Sequence, residues 1–260
     1  MRTAFGTLLT YFALTFAISW GGVLLVIGPR GIPATPEQVE TLLPFAVLAM
    51  LAGPSVAGVL LTGIVHGRSG FHELLFRLRR WRVDARWYAV ALLTAPLAMT
   101  AIPLALSPFV PGFLPRIFSS DDKAALLLFG VAAGLGAGIF EELGWTGFAI
   151  PRLRLRYGVL TIGLLLHSIL FSVGVLPVYR VLMVWVYDRT GSLLAAMLMH
   201  ASLTTSNVIF VPLAAGVSLV TWSLVLAAVL WLVVAAVAVA DRPGALRRMT
   251  VFRDPLRNAQ

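Results

Sequence analysis

Two adjacent glutamates, Glu141 and Glu142, interrupt an otherwise uncharged apolar run of the sequence. An ionised carboxylate at membrane depth is costly unless it has a partner or faces a water-filled cavity. A glutamate in a partly dry cavity can act as a general base on a water molecule. The pair therefore indicates either a hydrolytic site, or two side chains that lie at the membrane interface or bond to a neighbouring helix.

Helical geometry predicts different surroundings for the two carboxylates. Consecutive residues of an α-helix point about 100° apart, so both side chains cannot face the same point. Glu142 shares a helix face with Thr146, and Glu141 shares one with Trp145. We therefore expect one carboxylate to face a cavity while the other makes a structural bond.

Two histidines in apolar segments are candidates for the same site. A histidine from a neighbouring helix could bind a metal, or donate a hydrogen bond to the oxyanion that forms on a peptide carbonyl. His200 is the first candidate, and Thr204 follows it by one helical turn. His167 is the second candidate, although a histidine in an apolar helix also occurs as a hydrogen-bonded packing residue.

The composition requires a membrane protein around these residues. Of the 260 residues 59% are hydrophobic and 12% are charged, and the mean hydropathy is +0.92, whereas soluble domains are about one quarter charged. The absence of cysteine excludes disulfides, thiolate metal ligands and a cysteine nucleophile. The net charge of +9 arises from basic residues between apolar segments, a pattern that positive-inside topology explains better than nucleic-acid binding.

The apolar segments predict an all-α fold, a polytopic transmembrane bundle with about eight membrane segments in one integral membrane domain, residues 1–260. The fourth helix is expected to begin near Ser119 to Asp122, where a hydroxyl or carboxylate can cap it. A kink or hairpin near residues 174–177 would make the sixth segment, 178–187, short or re-entrant. The other predicted segments are 5–28, 41–65, 87–106, 159–177, 192–212 and 217–240.

The basic residues predict that both termini are cytoplasmic. In that topology the N-terminus, the segments 66–86 and 152–156 and the basic tail, 241–260, hold 15 of the 20 basic residues. The segment 66–86 alternates arginine with apolar residues, which predicts either a short helix on an anionic inner leaflet or a solvated basic loop. Glycines at four-residue spacing in the fourth helix, Gly130, Gly134 and Gly138, predict a face that another helix can approach closely.

Two stretches of the sequence resemble a known protease family. The run EELGWTGFAIPRL, residues 141–153, resembles the EE-x-x-x-R-G segment of the CPBP family of intramembrane metalloproteases, bacterial relatives of the CAAX prenyl endopeptidase. The run VWVYDRTGSLLAAMLMHASLTTSN, residues 184–207, resembles the later segment of the same family. The resemblance covers roughly residues 68–207, with its core at 122–212, and identifies the chain as a divergent member.

The resemblance implies a membrane core of eight helices around a polar cavity. In that family the first glutamate activates water, the second bonds an adjacent element, and histidines from two later helices complete the site. Carried over to this chain, Glu141 is the base, Glu142 its partner, and His200 the later histidine. If a divalent metal such as zinc is bound, Glu141, His200 and His167 are its candidate ligands. Either His167 serves in the site through a shifted helix, or this member has lost a catalytic ligand.

The sequence departs from the family pattern at three places. Thr146 replaces the usual arginine, so Glu142 must be protonated or paired elsewhere. Thr204 replaces a frequent asparagine, for which Ser206 or Asn207 could substitute. The usual histidine of the fifth segment is missing near Val175, and His167 lies about 10–12 Å earlier along a straight helix.

Two functions follow from these observations. The first is an intramembrane endopeptidase of the cell membrane that cleaves a peptide or membrane-protein substrate at the lipid bilayer. The alternative is a catalytically impaired pseudoprotease that binds a peptide or partner as a membrane scaffold, because a family histidine is absent near Val175. A solute transporter is disfavoured, since the sequence has no internal repeat, and no nucleic-acid partner is expected.

Overall fold

A computed structural model describes residues 2–28, 35–167, 175–214 and 216–240. Within these ranges the regular elements are helices, as the sequence predicts. The α-helices are α1 (Arg2–Ile27), α2 (Pro36–Leu78), α3 (Ala85–Leu106), α4 (Arg116–Ser119), α5 (Lys123–Gly144), α6 (Ile150–Leu153), α7 (Val159–His167), α8 (Val175–Thr190), α9 (Leu193–Phe210) and α10 (Val217–Ala240). A short 3₁₀ turn, Pro111–Phe113, precedes α4, and a π-helical turn, Trp145–Ala149, joins α5 to α6.

The described helices form a multi-pass integral membrane protein. Six helical segments are long and apolar enough to cross a bilayer: α1, α2, α3, α9, α10 and the continuous segment Lys123–Leu153. Large apolar side chains such as Trp20, Leu128 and Leu232 are exposed on the protein surface, where lipid would cover them. The predicted all-α bundle is confirmed, while the total of about eight crossings and the cytoplasmic termini stay predictions.

The helices α7 and α8 form an antiparallel pair. A Cβ atom on Gly163 of α7 would lie 2.9 Å from the Val181 nitrogen and 3.1 Å from the Pro177 oxygen, both in α8. A single straight helix would separate Gly163 from Pro177 by about 21 Å. The two helices therefore are not one straight helix, but residues 175–177 already belong to α8, so the predicted fifth segment 159–177 and the kink or hairpin within 175–177 are wrong. Residues 168–174 lie outside the described part of the chain.

Helix α8 lies in the interior of the bundle. Its 16 residues span only about 24 Å, and most of their side chains are buried. It contributes to two buried apolar clusters, one shared with α3, α9 and α10 and the other with α1, α2, α7 and the π turn. The Arg180 side chain, which is 2% exposed, is therefore held away from both lipid and bulk water.

Helix α2 is longer than the segment 41–65 that the hydropathy predicts. It continues to Leu78 through a kink at Gly67, whose φ of 57° suits glycine. For the segment 66–86 the sequence allowed a helix or a solvated loop. The helix is confirmed for residues 66–78, and the loop is wrong for that part. Its position on the inner leaflet stays a prediction.

The start of α5 follows the predicted capping chemistry. The Asp122 carboxylate accepts a hydrogen bond of 2.9 Å from the Ala125 N–H, so the cap is the aspartate rather than a preceding serine. The end of α5 is tied to α2, because the Ser55 hydroxyl donates to the Phe140 carbonyl oxygen. These contacts fix α5 at both ends, with the glutamate pair one residue after the second anchor.

The glycine face of α5 packs against α9, as predicted. A Cβ atom on Gly138 would lie 3.0 Å from the Ala201 nitrogen and 3.1 Å from the Ala201 Cβ atom. Gly134 likewise faces Ala201, and Gly130 faces Ile209. Because the missing side chains let the two backbones approach closely, α9 reaches the end of α5 that carries the glutamates.

We expect Gly138→Val to lower the free energy of unfolding by about 1–3 kcal/mol, because its side chain would overlap the α9 backbone. The matched control is Gly136→Val in the same helix, since a Cβ atom on Gly136 meets nothing within 4 Å. Thermal unfolding of both variants in one detergent measures the difference. Equal losses in the two variants would contradict the packing role of this face.

Candidate active site

Three helices and one π-helical turn position the candidate site. Glu141 and Glu142 lie in the last turn of α5, Arg180 lies in α8 and His200 in α9. The π turn begins directly after α5, and the Trp145 N–H is shared between the carbonyl oxygens of both glutamates. Single π turns inside helices are frequent at functional sites, where they change the direction of side chains locally.

The Glu142 carboxylate is completely buried and has three polar partners. Its Oε1 atom lies 2.6 Å from Arg180 Nη1 and 2.7 Å from His200 Nδ1. Its Oε2 atom accepts a hydrogen bond from the Thr146 hydroxyl. Thr146, which stands where the family pattern has arginine, thus supports Glu142 directly, and the cation that pairs with Glu142 is Arg180 from another helix.

The Glu141 carboxylate has different surroundings. Its side chain is 25% exposed, against 0% for Glu142 and 10% for His200. Its Oε2 atom lies 3.9 Å from His200 Nε2, which is too far for a direct hydrogen bond. The structure therefore brings Glu141, Glu142 and His200 together, with Glu141 as the more accessible carboxylate.

The two ring nitrogens of His200 face different carboxylates. When a neutral imidazole donates its Nδ1 hydrogen to Glu142, the Nε2 atom is left as an acceptor that faces Glu141. A separation of 3.9 Å between two acceptors suits one bridging water that donates a hydrogen bond to each of them. The arrangement can therefore orient a nucleophilic water beside a general base.

The π turn is held by residues that lie outside the two runs 141–153 and 184–207 in which the resemblance is seen. Arg77 of α2 donates hydrogen bonds of 2.9 Å to the Gly147 carbonyl oxygen and to the Tyr187 hydroxyl. Tyr11 of α1 stacks on Phe148, with ring centroids 5.1 Å apart. Helices α1 and α2 thus hold the backbone that follows the glutamate pair.

Arg180 is the functional residue that the sequence reasoning missed. The prediction for the sixth membrane segment counts residues 178–187 as apolar, although they include this arginine. A lone arginine in an apolar run signals a buried partner, because an unpaired charge is not tolerated there. This pattern in the sequence could have pointed to Arg180, but it could not have identified Glu142 as the partner of Arg180.

The other predicted site residues are not joined to this cluster by the described contacts. Thr204 and Asn207 are half-buried on α9, and within the described ranges neither donates a hydrogen bond to Glu141, Glu142 or His200. His167 ends α7, but its side chain lies outside the described part of the structure. Val175, at the place of the family histidine, begins α8 and packs against an apolar cluster.

The predicted metal set is therefore not assembled among the described side chains. The described ranges contain no group of three or more His, Cys, Asp or Glu side chains that could hold a metal ion. Glu141 and His200 could supply two ligands, whereas catalytic zinc sites usually have three protein ligands. The proposed third ligand, His167, stays a prediction.

We expect Glu142→Gln to destabilise the protein by about 3–5 kcal/mol, because it leaves the Arg180 guanidinium buried without its counter-charge. Glu141→Gln should cost much less, since that carboxylate is partly exposed and has no hydrogen bond within 3.5 Å to His200. Thermal unfolding of the two purified variants makes the comparison. A greater loss in Glu141→Gln would reverse the assignment of the structural and accessible carboxylates.

The comparisons with known proteins agree with this site. Residues 123–206 match a family model described as type II CAAX prenyl endopeptidase Rce1-like. The matched range begins with α5 and ends within α9, so it contains both glutamates, Arg180 and His200. No curated protein matches the chain. The matched range encloses the whole buried cluster, so over residues 123–206 the chain is similar to the Rce1-like type II CAAX prenyl endopeptidases.

Proposed function

We propose that the protein is an intramembrane endopeptidase in which Glu141 activates a water molecule for attack on a peptide bond. One observation supports this function above all. The His200 ring lies between a buried and an accessible carboxylate, with Nδ1 2.7 Å from Glu142 and Nε2 3.9 Å from Glu141. A membrane helix bundle has little structural reason to keep a second, partly exposed carboxylate beside that ring.

The proposed reaction uses the water between Glu141 and His200. Glu141 accepts a proton from the water as the oxygen attacks the peptide carbonyl, and His200 Nε2 accepts the second hydrogen bond and orients the water. When the tetrahedral intermediate collapses, the C–N bond breaks and Glu141 returns the proton to the leaving amine. In its imidazolium form His200 would instead donate from Nε2 to the oxyanion, and Glu142 would stabilise that cation.

A divalent metal such as zinc would polarise the substrate carbonyl and activate the water. Glu141 and His200 are the described residues that could hold it. Because two ligands do not complete a usual catalytic zinc site, the reaction above is derived for the side chains alone.

The substrate is proposed to be a membrane-associated peptide or a segment of a membrane protein. The matched family is named for CAAX prenyl endopeptidases, which favours a substrate that approaches from the bilayer. The site lies shortly before the arginines Arg152, Arg154 and Arg156, which are expected on the cytoplasmic side. Cleavage near the cytoplasmic surface of the cell membrane follows from this placement.

A second function is favoured by the residue at the place of the family histidine. Val175 is half-buried against an apolar cluster and offers no ligand or proton donor. A pseudoprotease on this scaffold would bind a hydrophobic peptide without cutting it. The two functions differ in cleavage and not in binding, so both must be measured on the same sample.

We expect Glu141→Gln to reduce peptide cleavage by about 10²–10⁴-fold, because an amide cannot accept the proton of the water. Cleavage is measured with purified protein in liposomes and a library of membrane-associated peptides. The control is Asp121→Asn, an exposed carboxylate about 30 Å away along α5, which should leave the rate unchanged.

The same assay separates the alternatives. Cleavage that persists in Glu141→Gln would refute the proposed mechanism. Peptide binding without cleavage in the unmodified protein would establish the scaffold function instead. For an endopeptidase, the Glu141→Gln variant should still bind the cleaved peptides with an affinity within a few-fold of the original, since the fold does not depend on this partly exposed group.

A further inference from the structure

We infer that Arg180 is a positioning residue, which acts through Glu142 to hold the His200 ring with its Nε2 atom toward Glu141. This inference rests on the proposed function for its catalytic consequence. The orientation of the ring itself can be observed without any cleavage.

The contact geometry places Arg180 behind the reacting groups rather than among them. Its side chain is 2% exposed, and its Nη1 atom lies 2.6 Å from Glu142 Oε1. The same oxygen lies 2.7 Å from His200 Nδ1. The hydrogen bonds given for the described residues therefore link Arg180 to the imidazole through the carboxylate, at Nδ1 rather than at the Nε2 atom that faces Glu141.

The charge of Arg180 is what permits a carboxylate at this place. A completely buried carboxylate is tolerated only with a counter-charge and hydrogen bonds. Within the described ranges Arg180 is the lysine or arginine whose side chain contacts Glu142. Without it, Glu142 would move away or become neutral, and in either case the His200 Nδ1 hydrogen would lose its fixed, charged acceptor.

The ring orientation depends on that acceptor. Thr146 bonds the other oxygen of Glu142, so the carboxylate is fixed from two sides, by a hydroxyl on the π turn and a guanidinium on α8. A fixed acceptor at Nδ1 defines both the tilt and the tautomer of an imidazole. The direction of the His200 Nε2 atom toward the Glu141 carboxylate is thus set by Arg180 on α8. The hydrogen bond given for Arg180 goes to Glu142, and not to Nε2 or to Glu141.

Three variants test this role. Arg180→Met removes the charge while keeping the volume apolar, and Arg180→Lys keeps the charge. The double variant Thr146→Arg with Arg180→Met moves the charge to the π turn, on the side of Glu142 where the Thr146 hydroxyl now bonds. Arg180→Gln replaces Arg180→Met if the methionine variant does not fold.

The first measurement is the nuclear magnetic resonance spectrum of the full-length protein in nanodiscs, with ¹⁵N-labelled histidine. The His200 signal is assigned by its loss in His200→Gln. We expect a downfield Nδ1–H signal from the hydrogen bond to Glu142 in the unmodified protein and in Arg180→Lys. The signal should be lost in Arg180→Met or Arg180→Gln and should return in the double variant.

The second measurement is the kinetics of peptide cleavage. Loss of a residue that orients a catalytic group typically costs about 10- to 100-fold, and we expect this loss in kcat for Arg180→Met, with KM nearly unchanged. Arg180→Lys and the double variant should recover most of it. A role limited to stability would change the amount of folded protein, but neither the Nδ1–H signal nor the kcat of the folded protein.

The outcomes are distinguishable from those of the proposed function. An unchanged Nδ1–H signal in folded Arg180→Met or Arg180→Gln would overturn the positioning role, whatever the cleavage rate. Failure of the double variant to restore the signal would also overturn it. If the unmodified protein cuts no peptide while the spectra change as expected, the protease proposal fails and the positioning role of Arg180 stands.

Discussion

The buried pair of Glu142 and Arg180 is the interaction on which the site depends. Two opposite charges, 0% and 2% exposed and 2.6 Å apart, can lie inside an apolar bundle only because each compensates the other. The pair joins the end of α5 to the middle of α8, and His200 brings α9 to the same carboxylate oxygen. Removing either charge would leave the other unpaired, so this junction fixes the relative positions of three helices.

The adjacent glutamates have separate tasks because the helix turns between them. Glu142 is directed into the bundle, where it meets Arg180, Thr146 and His200, whereas Glu141 is directed to a more accessible position. The π turn that follows immediately is held by Arg77 from α2. The proposed general-base mechanism depends on this arrangement, in which a buried carboxylate and a more accessible one lie on either side of one imidazole.

Close helix packing brings His200 and Arg180 to the glutamate pair. The glycine face of α5 lets the α9 backbone approach to ordinary contact distance, and a larger residue at Gly138 would push His200 away from the glutamates. Helix α8, too short for an ordinary crossing, is surrounded by apolar side chains of both buried clusters. Arg180 of α8 therefore contacts Glu142 from within the protein rather than from the lipid side.

The sequence by itself determined the features that depend on neighbouring residues or on composition. These are the membrane class, the start of α5 near residues 119–122, the bounds of α10, the glycine face of α5 and the glutamates with His200 as candidates. It did not determine the extent of α2 beyond residue 65, because the apolar run ends there while the helix continues past a kink at Gly67 to Leu78. Only the tertiary structure decided which cation pairs with Glu142 and which nitrogen of His200 faces which carboxylate. Those contacts join residues that are 38 and 58 positions apart in the chain. A distance of a few ångströms between side chains on separate helices depends on how the helices pack, and no local sequence pattern encodes that packing.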